Sequence, residues 1–321
     1  MTEKHIVLED IDPAVFYGVN NTHLQTVRAL YPKLRIMARG DVIRVLGDEQ
    51  QMTAFSENIE KMRRHVLKYN AINEADVIEI MNGGKPRYAD ATDAVVYNVQ
   101  GKAIKARSHN QQSLVEAYDR NDMVFAVGPA GTGKTYLSIA LAVRALKDKQ
   151  ARRIILSRPA VEAGEKLGFL PGDMKEKIDP YLQPLYDALE DMLPAVKLQD
   201  MMEKRIIQIA PLAFMRGRTL SDAVVILDEA QNTTVAQIRM FLTRMGQNTK
   251  MIINGDLTQV DLPRGATSGL SHALGVLGDI EGIACVRMND KDIVRHRLVT
   301  RIVQAYERAD REERYESTDQ H

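Results

Sequence analysis

Residues 128–135 read GPAGTGKT, a glycine, four free positions and then Gly-Lys-Thr. That is the spacing of a phosphate-binding loop, and a chain of this length matches it by chance in roughly one case in a hundred. Gly128, Gly131 and Gly133 let the backbone curl until its N–H groups converge on phosphate oxygens at a helix N-terminus, with Pro129, Ala130 and Thr132 completing the cradle. Lys134 supplies a point charge for the phosphates, and the Thr135 hydroxyl is placed to ligate a Mg2+ ion bridging the β- and γ-phosphates.

Two further stretches match this chemistry. AVVILDEAQN, residues 223–232, is an apolar strand that delivers Asp228 to the metal at its carboxyl end, with Glu229 directly after it. Adjacent carboxylates on a strand end point differently, so one can hold the ion while the other orients or deprotonates the attacking water. INGDLTQVDLP, residues 253–263, is a second apolar strand ending in polar groups, where Asp256 and Gln259 are candidates to sense the γ-phosphate. The competing reading makes Gly255-Asp256 a plain turn and Gln259 a helix cap. Upstream, Gln111 and Gln112 offer amides, each with a donor and an acceptor, that suit an adenine edge.

From Asn121 onward β-rich runs (MVFAV, RIILS, RIIQI, AVVILD, MIING) alternate with helical segments. That alternation implies an α/β domain with a parallel sheet covered on both faces, and the phosphate loop falls where the first strand passes into a helix. Residues 1–82 form a separate small α+β unit, a helix followed by the hairpin runs LRIMA and VIRVL and a second helix. Met52, Phe55, Ile59, Met62, Val66 and Tyr69 make one apolar stripe on that second helix. Residues 83–110 read as a linker with a hairpin arm, 111–310 as the main domain, and 311–321 as a frayed tail.

Bulk properties narrow the class. Lys+Arg 43 balances Asp+Glu 43, so any attraction to nucleic acid rests on local patches. Residues 24–70 carry such an excess, nine Lys/Arg against five Asp/Glu. The single cysteine, Cys285, forms no internal disulfide, and no apolar run reaches membrane-spanning length. The expectation is a soluble, cytoplasmic protein without membrane association. No Asn-Lys-x-Asp guanine motif occurs, which favours ATP over GTP.

The segments SHNQQSLVEAY, VFAVGPAGTGKTYLSIALA, LSRPAVEAGEKLGFLPGDMKEKIDPYLQPLYDAL, FMRGRTLSDAVVILDEAQNTT and INGDLTQVDLP together resemble the PhoH-like ATPases, bacterial form, over roughly residues 20–310. The resemblance implies a RecA-like P-loop core, ATP hydrolysis with Mg2+, and a place in RNA metabolism beside the ribosomal-RNA-processing endoribonuclease YbeY, with helicase-like motor action as one form of output. It assigns Gln111 to adenine, Asp228 and Glu229 to Mg2+ and water, and Gln259 to the γ-phosphate. It also makes the N-terminal unit similar to a reduced KH module, although no GxxG clamp is present. An ATP-gated scaffold without RNA contact is the alternative, and a small-molecule kinase is disfavoured by the Asp-Glu pair. Two arginine expectations complete the reading. Arg158, Arg216 and Arg218 gather as a basic rim for RNA phosphate, or else pair with Glu162, Glu165 or Asp187. Arg295, with Arg297, acts as a catalytic arginine across subunits of a homo-oligomeric ring, expected to be a hexamer.

Overall fold

A computed structural model of the chain describes residues 2–84, 93–159, 174–263 and 265–293, and for 174–180 the backbone alone. Arg295, Arg297, Glu162, Glu165 and the expected tail at 311–321 lie outside these residues.

The N-terminal unit contains β1 (Thr2–Val7), α1 (Pro13–Tyr17), α2 (Thr22–Leu30), β2 (Arg35–Arg39), β3 (Val42–Gly47), α3 (Glu49–Tyr69) and α4 (Glu74–Met81). Its sheet is antiparallel in the order β1-β3-β2. Helix α3 begins at Asp48, whose carboxylate accepts from the Gln50 and Gln51 N–H groups, and it ends at Asn70 in the left-handed region. All six residues of the expected stripe are buried, the first five in a core shared with Phe16, Ile43, Val45 and Ile80 and Tyr69 against the Tyr97 ring. Strand β1 escaped the sequence reading because TEKHIV is an almost wholly exposed edge strand with little apolar alternation.

The expected hairpin arm is β4 (Ala94–Tyr97) with β5 (Ala103–Lys105). The main domain follows: α5 (His109–Arg120), β6 (Met123–Val127), α6 (Lys134–Lys147), β7 (Arg153–Arg158), α7 (Met174–Met192), α8 (Ala195–Glu203), β8 (Ile207–Pro211), β9 (Ala223–Leu227), α9 (Val235–Leu242), β10 (Lys250–Gly255), α10 (Gly269–Leu277) and β11 (Ile283–Arg287). Six strands form one parallel sheet in the order β11-β6-β10-β9-β7-β8. Every residue of β6 and β9 is buried, as strands covered on both faces require. One face packs on Leu114, Ile139, Leu141, Leu185 and Met192 from α5, α6 and α7; the other packs on Ile238, Phe241 and Leu270 from α9 and α10. The fold is therefore α/β, a P-loop core preceded by a small α+β unit. Among the described residues no helix is long and apolar enough to cross a membrane.

The two units are bolted together through Asn70. Its amide donates to the carbonyls of Tyr97 (2.7 Å) and Met192 (3.0 Å), and its Oδ1 accepts from Lys147 Nζ (2.9 Å) at the far end of α6.

Candidate functional site

The parallel sheet sets all its carboxyl ends along one edge, and the site is built there. The loop after β6 turns into α6 at Gly133, whose φ of +81° is one that an L side chain rarely adopts. Gly128 is required for a different reason: a Cβ there would stand 2.5 Å from the Met288 carbonyl just beyond β11. Lys134 is buried, and in this state its Nζ donates to the loop's own carbonyls at Gly128 (2.6 Å) and Pro129 (2.8 Å). Burial pulls the Lys134 pKa below the ordinary lysine value, against the opposing pull of Asp256, Asp228 and Glu229.

Thr135 and Asp228 come together as the sequence expects, Thr135 Oγ1 donating to Asp228 Oδ1 at 2.6 Å. Asp228 is buried, and desolvation raises its pKa, with the Glu229 charge adding to the rise; the Thr135 hydroxyl, the Arg158 charge and the Asn254 amide (3.4 Å) oppose it. A buried carboxylate in that condition fits a divalent cation. The N–H groups of Gly131, Thr132 and Gly133 make no hydrogen bond among the described residues, so the loop fits a phosphate as well. When bound, Mg2+ would neutralise charge developing between the β- and γ-phosphates.

Glu229 sits at φ +53°, ψ +39°, a left-handed conformation for a residue with a Cβ. Its side chain lines the cleft together with that of Asp228. Two partners hold it there: Arg158 Nη2 donates to Oε1 at 3.0 Å and Gln231 Nε2 donates to Oε2 at 2.5 Å. Gln231, fully buried, also donates to the Gln259 carbonyl (3.2 Å) and accepts from the Asp256 N–H (3.0 Å), tying the ends of β9 and β10 together. Asp256 reaches back in turn, its Oδ2 accepting from the Ala130 N–H at 3.1 Å. The resulting cleft of about 250 Å3 is lined by Ala130, Lys134, Thr135, Asp228, Glu229 and Gln259, among others.

Several expectations change on this geometry. Gln259 lines the cleft and does not cap the next helix, because Ser268 caps α10. Asp256 closes an Asx turn onto Thr258, so it is at once a turn former and a brace for the phosphate loop. Gln111 is buried with its amide engaged: Nε2 donates to the Thr132 carbonyl (2.9 Å) and Oε1 accepts from the Arg107 N–H (2.7 Å). It buttresses the loop, whereas Gln112 is exposed and donates to Glu116. Of the three arginines, two engage different groups. Arg158 pairs with Glu229 and donates to the Tyr181 carbonyl (2.8 Å), Arg218 donates to Gln208 (2.7 Å), and Arg216 is exposed. Asp187, offered as their partner, accepts from Gln183 instead. Sequence reasoning missed Gln231 and the role of Arg158; the signal available for Gln231 was its position two residues after the Asp-Glu pair.

The PhoH-like protein family model matches residues 103–307, which includes every element of this cleft. The chain belongs to the PhoH-like family. It is 50% identical over 280 residues to a PhoH-like protein of Bacillus subtilis (strain 168), covering 86% of this chain and 88% of that protein. It is 44% identical over 305 residues to a PhoH-like protein of Mycobacterium tuberculosis (strain ATCC 25618 / H37Rv), covering 93% and 87%. Protein PhoH of Escherichia coli (strain K12) is 39% identical over 307 residues, covering 92% and 84%. These PhoH-like relatives match the N-terminal unit as well as the core, since the shared lengths exceed the residues of the family model.

Proposed function

We propose that this PhoH-like protein hydrolyses ATP with Mg2+ and couples that cycle to RNA, together with an RNA-processing endoribonuclease of the YbeY kind. The observation that carries the reading is Glu229, a carboxylate turned into the phosphate-loop cleft and gripped on both oxygens beside the buried Asp228. Lys134 and the loop N–H groups bind and orient the phosphates, Thr135 and Asp228 hold the metal, and Glu229 accepts the proton of the attacking water. Gln259 lines the cleft where it can touch the γ-phosphate, and Gln231 keeps that segment in register with Glu229. The cation needed at the transition state is supplied by Arg295, from the same chain or from a neighbour in a ring, because Arg158 is already paired. The RNA part rests on the family resemblance and on Lys33, Arg35 and Arg39, exposed on and beside the edge strand β2.

The Arg158–Glu229 ion pair favours one second reading, an ATP-gated scaffold whose base stays engaged and whose turnover is negligible. Hydrolysis by the purified protein, with and without structured ribosomal RNA, separates the two. Stimulation by RNA supports the coupled ATPase, and flat, near-zero turnover supports the scaffold. In the same assay Lys134→Ala should lose nucleotide binding, while Glu229→Gln should bind ATP and turn over slowly. If both variants bound and hydrolysed ATP like the parent, the cleft would not be the site.

A further inference from the structure

A second cleft opens at the opposite end of α6, about 21 Å along that 14-residue helix from Lys134. It is a cavity of about 530 Å3 where α3, β4, the end of α6 and α8 meet, a volume typical of small-molecule sites. Its walls are apolar, from Leu67, Val95, Val96, Leu146 and Ile206. Two lysines face it. Lys147 Nζ donates to the Asn70 amide oxygen at 2.9 Å and Lys197 Nζ to the Asp10 carbonyl oxygen at 2.9 Å, so each half-buried ammonium has a neutral oxygen, not a carboxylate, as its hydrogen-bond partner.

The remaining charges do not correct this. Lys68 from α3 and Lys149 and Arg152 from the loop before β7 add positive charge around the cavity, whereas Arg64 is paired with Glu60. Arg144 is committed to Asp119. Only Asp10 and Asp148 among the lining residues oppose them. Desolvation, reinforced by the Lys197 charge, brings the Lys147 pKa down to about 7, and desolvation lowers that of Lys197 too. The carbonyl end of α6 offers Lys147 only partial negative charge. An anion entering between the two ammonium groups would supply what both lack, with its organic body on the apolar wall.

We propose that this cleft is a second ligand site, taking the phosphate of a small phosphorylated organic molecule between Lys147 and Lys197. The site is independent of the nucleotide reading above, and it shares α6 with the phosphate loop.

Calorimetry of the full chain tests it with uridine 5′-monophosphate, run with the phosphate loop kept saturated by ADP and Mg2+. One equivalent should bind, on the order of tenfold or more weaker in Lys147→Gln and in Lys197→Gln, and retained in Lys197→Arg. At pH 8 binding to the parent should take up close to one proton, measured in two buffers of different ionisation heat, because Lys147 is largely neutral there and must charge to hold the anion. The Gln variants should melt no lower than the parent without ligand, since a desolvated charge is removed, and they should lose the thermal shift given by the probe. A six-nucleotide RNA is the comparison arm: binding of the oligomer with none of the monophosphate would overturn the proposal in favour of a strand phosphate. Absence of binding, binding unmoved by both Gln substitutions, or no proton uptake would also overturn it.

Discussion

Gln231→Glu puts a carboxylate where a buried amide now donates to Glu229 Oε2 at 2.5 Å and to the Gln259 carbonyl at 3.2 Å. The acceptor half survives, because the Asp256 N–H, now 3.0 Å from Oε1, can still donate to the new group. What is lost is a hydrogen bond to a charged partner, about 1.5–3 kcal/mol. What is added is like-charge repulsion, roughly 1–2 kcal/mol once discounted for the one-third exposure of Glu229 and for Arg158 on its other oxygen. The expected loss is roughly 2.5–5 kcal/mol at pH 7.5. Repulsion and burial raise the pKa of the new carboxylate above its unfolded value near 4.3, so the folded state binds the extra proton. The deficit is therefore full above the raised pKa and shrinks as pH falls through it. Urea unfolding of the parent, Gln231→Glu and the uncharged Gln231→Met at pH 7.5 and pH 5 reads this directly. The Met variant should lose roughly 2.5–6 kcal/mol at both pH values, for the Glu229 hydrogen bond and the unpartnered Asp256 N–H together. Equal, pH-independent losses in the two variants would refute the contact with Glu229.

Asp228→Asn keeps the shape and the Thr135 donor while removing a carboxylate whose pKa burial raises; without ligand the variant should melt higher than the parent at pH 8, by an amount that shrinks as pH falls through that raised pKa, and should no longer be stabilised by Mg2+ with nucleotide, as thermal shifts would report. Gly128→Ala drives a Cβ against the rigid Met288 carbonyl and should cost about 1–3 kcal/mol in urea unfolding along with weaker ATP binding. Gln111→Ala removes the brace on the Thr132 carbonyl, so ATP and GTP affinities should fall together; a loss confined to ATP would return Gln111 to reading adenine.

Much of the site was legible in the chain itself because it is written in short contiguous motifs. A phosphate loop is one strand-to-helix turn, so Gly133, Lys134 and Thr135 are fixed by local backbone needs, and the apolar run before Asp228 announces a strand buried on both faces. The stripe on α3 was equally readable, since a period between three and four depends on nothing distant. One edge strand of each of the two larger sheets was not. The β1 and β11 strands earn their place by pairing with β3 and β6, and neither TEKHIV nor IACVR carries the continuous burial of a central strand. Tertiary structure alone decided the partners of the polar groups, because they lie tens of residues apart: Arg158 with Glu229, Gln231 between Glu229 and Asp256, and Gln111 under Thr132. It also set Lys147 and Lys197 around one cavity, where desolvation with only neutral oxygens as hydrogen-bond partners, a property no sequence spacing encodes, lowers the pKa of both.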